Sequence, residues 1–518
     1  MKSKTKWGWR SLYALLAIVA GTAIWHWSIL DSYELTSYDK RLMASVGGPS
    51  PFTRDERVVI VTIDDQSIKK MKKLKGHKER SRWPWPSTNY GKVIENCFKK
   101  GAAVVGVDLL TFDTQSAPKY RHEDEELVKI CERYKKRVVL AQRYDVINEG
   151  GMEREEWALP MKSLRKVCGR GYVNVVVSPD GVVRKFTPFR KRMFMFEEHS
   201  FAVAVLKAFD KWTKSNSDGE ELKPGKKDGH IQVGPWAVRG KADQSVLIGF
   251  SKTPLGFAKG SDGSPATKTI PYWRVLIDDD IDDKFFKDKI VLIGPTALDF
   301  HDRHPTPVMV KTGQPTQGVA IQADIISSFL RNSQLHQASA QRNILVACVA
   351  GFLAFLIALF AGALWGPIVL IITSFVYWSW ASYLLQSSSQ WVEVARPIGV
   401  MFAVYLIVTA ARLAGEERKR RQVRKMFSAY VSGEVLAYLE ENPEAFSLTG
   451  ERRDVTVFFS DVQGFTNMSE TVTPDVLASI LNRYFTPMSE LVMAEGGYVD
   501  KYIGDCVMAV FGVPQPLE

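Results

Sequence analysis

The 518-residue chain can hold two or three domains with cores of their own, and 46% hydrophobic content beside 24% charge suits soluble domains. Membrane spans must therefore be confined to a few blocks. The net charge of +11 is spread along the chain, with its densest cluster just after an apolar block, which favours an anionic inner leaflet and argues against a nucleic-acid partner.

Residues 1–10 carry Lys2, Lys4, Lys6 and Arg10 and read as a cytoplasmic tail. Leu12 to Leu30 then lacks Asp, Glu, Lys and Arg, about enough helix to cross a bilayer, which takes ~20 residues. Trp25 and Trp27 suit an interfacial aromatic belt, and no A-x-A cleavage site follows. A retained transmembrane helix is expected over 11–30.

The long region 31–341 alternates strand and helix patterns. Val58–Ile63, Val104–Val107, Val138–Ala141 and Ile290–Ile293 are β-branched runs, and Tyr90–Lys99 has helical spacing. That order predicts an α/β domain with a largely parallel sheet. Trp83-Pro84-Trp85-Pro86 is a stiff aromatic segment, and Pro179-Asp180-Gly181 reads as a turn between two strands. Cys97, Cys131 and Cys168 permit one internal disulfide, with free buried thiols the expected state. His301, Asp302 and His304 have residue types that suit zinc, but a capped turn is the expected reading. In order, "VTIDDQSI" (61–68), "RWPWP" (82–86), "GAAVVGVDLL" (101–110), "SPDGVVR" (178–184), "VLIGPTALDFHDRHPTP" (291–307) and "GVAIQADII" (318–326) resemble the second type of CHASE extracellular sensor domain. The likeness covers most of 34–335 and implies a sensor for an unnamed extracellular ligand or stress.

Asn343 to Val392 contains no charged side chain and is too long for one crossing. Gly362, Gly366 and Pro367 predict a break, giving helices over 343–364 and 367–386, with a second turn at Ser387–Gln390. Pro397–Ala411, between Arg396 and Arg412, is a short fourth span, set at 395–413. Arg412, Arg418, Lys419, Arg420, Arg421, Arg424 and Lys425 follow it. Positive-inside then places both ends of the chain in the cytoplasm and 31–341 outside, a multi-pass arrangement in the inner (plasma) membrane. Residues 414–448 form a helical linker in which Met426, Phe427, Tyr430, Val431, Val435, Leu436 and Leu439 share a face, while Gly433 and Pro443 interrupt any long coiled coil.

In 449–518, Val455–Phe459 reads as a strand that delivers Ser460 and Asp461 to its end. The Val462–Thr466 turn follows, then a helix capped by Thr473 with Pro474 at its first position. Leu477, Ile480, Leu481, Tyr484, Phe485, Met488 and Leu491 form its apolar stripe. Beyond it, Gly504-Asp505 sits between two β-rich runs as a hairpin tip. A carboxylate at a strand end, a turn with free N–H groups and a helix N-terminus suit metal-bound phosphate. If Asp461 and Asp505 converge, they can share two Mg²⁺ ions about 3.5–4 Å apart, as in-line displacement at phosphorus requires. The bland alternative is that each aspartate only satisfies its turn.

"RRDVTVFFSDVQGFTNMSE" (452–470) and "GGYVDKYIGDCVMAVFG" (496–512) resemble the first half of the class III adenylate/guanylate cyclase catalytic domain, and "RKMFSAYVSGEVL" (424–436) resembles its usual lead-in. The resemblance implies an incomplete α+β, ferredoxin-like domain. It makes Asp461 and Asp505 the catalytic, metal-binding pair for two Mg²⁺ or Mn²⁺ ions. Val462 backbone joins the metal, and Gly464, Phe465 and Thr466 contact phosphate. Lys501 occupies the adenine-reading position, where guanylate cyclases carry Glu, so ATP is the implied substrate. In this family sites form between two domains, so a homodimer is implied, with Lys501 and Asp505 of one chain serving different sites. The external domain would then act by rotating the protomers, and disulfides locking different faces of the linker should change output.

By family comparison, the second adenine-reading residue and the transition-state Asn and Arg would fall beyond Glu518. The 518-residue chain by itself is therefore expected to bind metal poorly and to make no cyclic AMP. The alternatives are a non-enzymatic membrane sensor, which intact Asp461, Lys501 and Asp505 oppose, and a guanylate cyclase, which Lys501 opposes. No kinase-type phosphate loop or phosphoacceptor motif is present in the sequence.

Overall fold

A computed structural model describes residues 4–44, 52–73, 83–112, 121–149, 152–192, 196–216, 230–233, 236–239, 245–252, 255, 268–277, 280–427 and 452–513. The chain divides into two compact units, Ala14–Tyr405 and a second made of Met1–Tyr13 with Leu406–Glu518.

The first unit opens with Ala14–Trp25, the greater part of α1 (Lys4–Trp25), which meets α2 (Ile29–Met43) at a 69° bend. The helix expected over 11–30 therefore ends at Trp25, and α2 was not anticipated. Then come β1 (Val58–Ile63), α3 (Ser87–Lys99), β2 (Val104–Val107), α4 (Arg121–Tyr134), β3 (Val138–Glu149), β4 (Met152–Ala158), α5 (Lys162–Val167), β5 (Gly169–Tyr172), β6 (Val176–Val177), β7 (Val183–Phe186), α6 (Phe201–Asn216), β8 (Lys268–Pro271), β9 (Ile290–Pro295) and α7 (Gly318–Leu330). The main sheet runs β8-β1-β9-β2-β3-β4, with β5 also on β3. All its pairs are parallel except β3 with β4, so the largely parallel sheet is borne out.

Strand side chains alternate between two cores, which is why these strands read as unbroken apolar runs. Val58, Ile60, Val104, Ile290 and Leu292 face α6 and α7. Val59, Val61, Ile63, Val105, Val107, Val291 and Ile293 face α3, α4 and α5. Gly171 passes so close to Phe201 that a Cβ there would lie 2.6 Å from the Phe201 Cα. The Pro179–Gly181 segment is the expected turn, joining antiparallel β6 and β7 with Gly181 at φ +80°. Trp85 is buried with its ring 4.7 Å from that of Tyr272, and Trp83 packs on Phe300 at 4.6 Å.

Three apolar helices follow in sequence: α8 (Ala340–Phe360), α9 (Gly362–Ser388) and α10 (Ala395–Phe427), the last continuing beyond this unit's end at Tyr405. Each is long and apolar enough to cross a membrane, and α1 with α2 makes a fourth if the bent pair is one span. The break falls at Ala361 rather than at 365–366, and Pro367 lies inside α9. Gly366 is needed for another reason: the Tyr405 ring of α10 packs against its backbone, where a Cβ would collide. Ser389, at φ +51°, ends α9 in the expected Ser387–Gln390 turn. The last helix continues far past Ala411, because nothing there breaks it. Arg412–Glu416 and Glu417–Arg421 pairs, at 3.2 and 3.0 Å, line its polar continuation. The rest of the expected linker, 428–448, lies outside the described residues, as do Tyr430, Val431, Val435, Leu436, Leu439, Gly433 and Pro443.

In the second unit, β10 (Thr456–Ser460) leads to α11 (Phe465–Thr471), α12 (Pro474–Ala494), β11 (Tyr498–Ile503) and β12 (Cys506–Phe511). The sheet order is β10-β12-β11, with both outer strands antiparallel to β12. Two strands parallel to each other thus flank a third, with α12 packed on it through Tyr484, Phe485, Met488 and Val492. Leu491, expected in that stripe, is 60% exposed; Val492 is the buried residue of that turn.

Candidate functional site

Asp461 and Asp505 of the second unit lie at one end of its sheet. Ser460 is paired with Val507, so Asp461 leaves β10 beside the start of β12. On the other side of β12, Ile503 pairs with Cys506, leaving Gly504 and Asp505 as a two-residue loop. Gly504 takes φ +66°, a conformation open to glycine at little cost. The expected hairpin with a carboxylate at its tip is what forms.

One contact joins the two strand ends. The backbone N–H of Val462 donates to Asp505 Oδ2 at 3.3 Å. This sets the half-buried Asp505 carboxylate against the residue that follows the exposed Asp461. Behind them, Ser460 and Tyr484 hydroxyls meet at 2.6 Å, and Ser489 and Tyr502 hydroxyls at 2.8 Å, fixing α12 to the sheet.

The expected Gly-containing turn after Asp461 forms, and it opens directly into a short helix. Gly464, at φ +77°, stands at the N-cap of α11, and the Phe465 N–H closes the turn on the Val462 carbonyl at 3.2 Å. Phe465 and Thr466 are thus first-turn residues of a short helix. Thr473 does occupy the N-cap of α12 with Pro474 first in the helix, but its side chain makes no capping bond.

Lys501 sits on β11 opposite Met508, where a bulge interrupts the pairing. Its side chain is 59% exposed, with the ammonium 3.2 Å from Asp500 Oδ2. It is exposed on its own strand, and among the described residues no hydrogen bond or ion pair ties it to the Asp461–Asp505 end.

As a donor set, two carboxylates and a backbone carbonyl are hard oxygen ligands, which suits Mg²⁺ or Mn²⁺ over a soft metal. Asp461, Asp505 and the Val462 carbonyl, which also accepts the Phe465 N–H, are the oxygen groups this sheet end offers.

In the first unit, His301 is exposed in a left-handed turn, with Nδ1 3.0 Å from the Asp299 carbonyl. His304 Nε2 lies 3.5 Å from Asp302 Oδ1. Among the described residues no group of three or more His, Cys, Asp or Glu is arranged to hold a metal. Cys97, Cys131 and Cys168 are free and buried. Three buried polar elements escaped the sequence reading. Asp108, at the end of β2, has its carboxyl pushed well up by burial and by the charge of Asp302. Asp324 pairs with Arg54 at 2.7 Å inside the core. Glu34 lies in α2 and accepts from Arg41, Trp391, Val394 and Ala395. Only the lone Asp inside "GVAIQADII" was a visible signal, since an acid in an apolar helix needs a cation.

Comparison with known proteins follows the same division. Residues 14–364 match the family described as CHASE2 domain, and residues 449–518 match that described as adenylate and guanylate cyclase catalytic domain. Both resemblances drawn from the motifs are borne out. An adenylate cyclase of Anabaena cylindrica is 42% identical over 59 residues, 11% of this chain and 12% of that protein. An uncharacterized protein of Mycobacterium tuberculosis is 39% identical over 102 residues, 20% of this chain and 18% of its own length. The chain thus spans less than a fifth of either relative.

Proposed function

This chain belongs to the CHASE2 domain family, and with its cyclase-type segment we propose that it is a membrane-bound sensor adenylate cyclase making cyclic AMP and pyrophosphate from ATP. The observation that carries the reading is the Val462–Asp505 contact, which draws the hairpin-tip carboxylate to the end of the strand bearing Asp461.

Two Mg²⁺ or Mn²⁺ ions, when bound, would activate the attacking hydroxyl and neutralise the leaving pyrophosphate. The chain's own contribution is placement. Asp461 and Asp505 supply negative charge at one sheet end, the Val462 N–H orients one of them, and backbone of the Gly464–Thr466 turn, whose Phe465 N–H is already donated to the Val462 carbonyl, would lie against the phosphates. Lys501 would donate to adenine N1, which guanine N1–H could not accept. Its exposed position on β11 suits a site completed by a second copy of the chain, with Lys501 serving the partner's metal pair. The sensor domain lies outside the membrane and the cyclase segment in the cytoplasm, as the basic run after Arg412 favours.

The experiment supplies ATP or GTP with Mg²⁺ or Mn²⁺ to membranes carrying the full gene product. Cyclic AMP from ATP supports the reading. Cyclic GMP from GTP alone would make it a guanylate cyclase, and no cyclic nucleotide with either substrate would leave a membrane sensor without enzymatic output.

A further inference from the structure

We propose that α2 is a mechanical joint, through which the sensor's β6–β7 turn sets the position of the first turn of α10. The joint belongs to the sensor and membrane helices and stands whether or not the chain is a cyclase.

Two buried ionic clusters occupy opposite sides of α2. At one, Arg184 on β7 donates to Asp39 Oδ1 and Oδ2 at 2.8 and 2.6 Å. The same guanidinium reaches Asp180 in the β6–β7 turn at 2.8 and 2.7 Å. At the other, Glu34 Oε2 accepts from the backbone N–H groups of Val394 and Ala395 at 2.6 and 2.7 Å. Glu34 Oε1 accepts from Trp391 Nε1 and Arg41 Nη2, both at 2.8 Å, and Arg41 also donates to the Val392 carbonyl at 3.0 Å. Five residues of helix advance about 7.5 Å and turn through about 140°, so Glu34 and Asp39 must address different neighbours. The open carbonyls at the end of α2 are held too. Gln386 Nε2 donates to Arg41 and Ala44 carbonyls at 2.8 and 3.1 Å, and Lys252 Nζ reaches the Ala44 carbonyl at 2.6 Å.

Glu34, Asp39, Arg41 and Arg184 are each buried. Apolar packing would join these elements at least as stably, because removing ions from water is costly. What directional ionic contacts add is register: α2 cannot slide or rotate on either neighbour without uncovering a buried charge. A carboxylate on the first free N–H groups of α10 also holds the helix by its positive end. Since α10 is the helix that leads in sequence toward the cyclase segment, displacement at Asp180 is delivered to its first turn.

Hydrogen exchange of the full protein in lipid nanodiscs tests this, read at residues 390–396. Glu34→Gln should speed exchange of the Val394 and Ala395 amides at least about tenfold, as expected on losing a charged acceptor. The deciding variant is Asp39→Asn, whose ionic partner is Arg184 and not a residue of 390–396, yet which should also raise exchange there. Asp180→Asn, in a more exposed turn, is the milder version if Asp39→Asn does not fold. Faster exchange at 394–395 in either remote variant supports the joint. Unchanged exchange there in the folded remote variants, or in Glu34→Gln, overturns it.

Discussion

Asp505 receives the backbone N–H of Val462 at 3.3 Å, so the tip of the hairpin is anchored to the residue that follows Asp461, just past the end of β10. If the two carboxylates hold divalent ions together, neither can be removed without loss of the pair. Asp505→Asn or Asp461→Asn should weaken Mn²⁺ binding by the full gene product more than about 100-fold, since even outer-shell changes cost 10–100-fold. Titration followed by Mn²⁺ electron paramagnetic resonance reads this directly. Equal affinity in both variants would remove the metal role.

Lys501 should govern which base is read. Exchanging it for Glu replaces a donor by an acceptor, so kcat/KM for GTP relative to ATP should rise about tenfold or more. If sites are shared between protomers, a mixture of Asp461→Ala and Lys501→Glu chains should regain ATP activity that neither has alone. One of its two sites then keeps both native parts.

The Arg54–Asp324 pair should prove costly to break and cheap to replace. Burial pushes Asp324 up to about 6 despite Arg54 at 2.7 Å. Arg54→Met strands that carboxylate and should destabilise the sensor by roughly 3–5 kcal/mol, whereas Arg54→Met with Asp324→Leu should come back close to wild type. The single-variant penalty should be largest near pH 8 and shrink toward pH 5, as Asp324 takes up a proton. Denaturant unfolding at the two pH values measures both effects.

His199 gives stability the opposite pH slope. Burial, and then the charge of Lys207, push its imidazole down to about 4, and Lys207 Nζ lies 2.8 Å from Nε2. An unfolded histidine titrates near 6.5, so the unfolded chain takes up the proton first as pH falls. The contribution is complete above about pH 6.5 and is lost on the way down to about 4. His199→Gln should flatten the dependence of Tm over that window.

The sheet was legible because its strands obey a local rule. Val58–Ile63 and Val104–Val107 are β-branched runs buried on both faces, and their bounds follow from composition alone. The hairpin at Gly504-Asp505 was equally plain, since a two-residue loop demands such residues. The α2 helix was not. Its "ILDSYELTSYDKRLM" looks like solvated surface, and only partners as remote as Arg184, Trp391 and Val394 allow its charges to be buried. Pro367 misled for a related reason: the close approach of Tyr405 to Gly366 explains that glycine without a turn. Leu491 and Val492 are adjacent apolar residues, and helical spacing cannot choose between them until the sheet beneath is in place.

Cyclic AMP formed from ATP by the full gene product, compared with its Asp461→Ala and Asp505→Ala forms at matched membrane abundance, tests the central claim most directly. Production in the parent, with a loss of at least about 100-fold in each variant, is the predicted result. Undiminished turnover in either variant would contradict it and leave an anchored receptor in place of an enzyme.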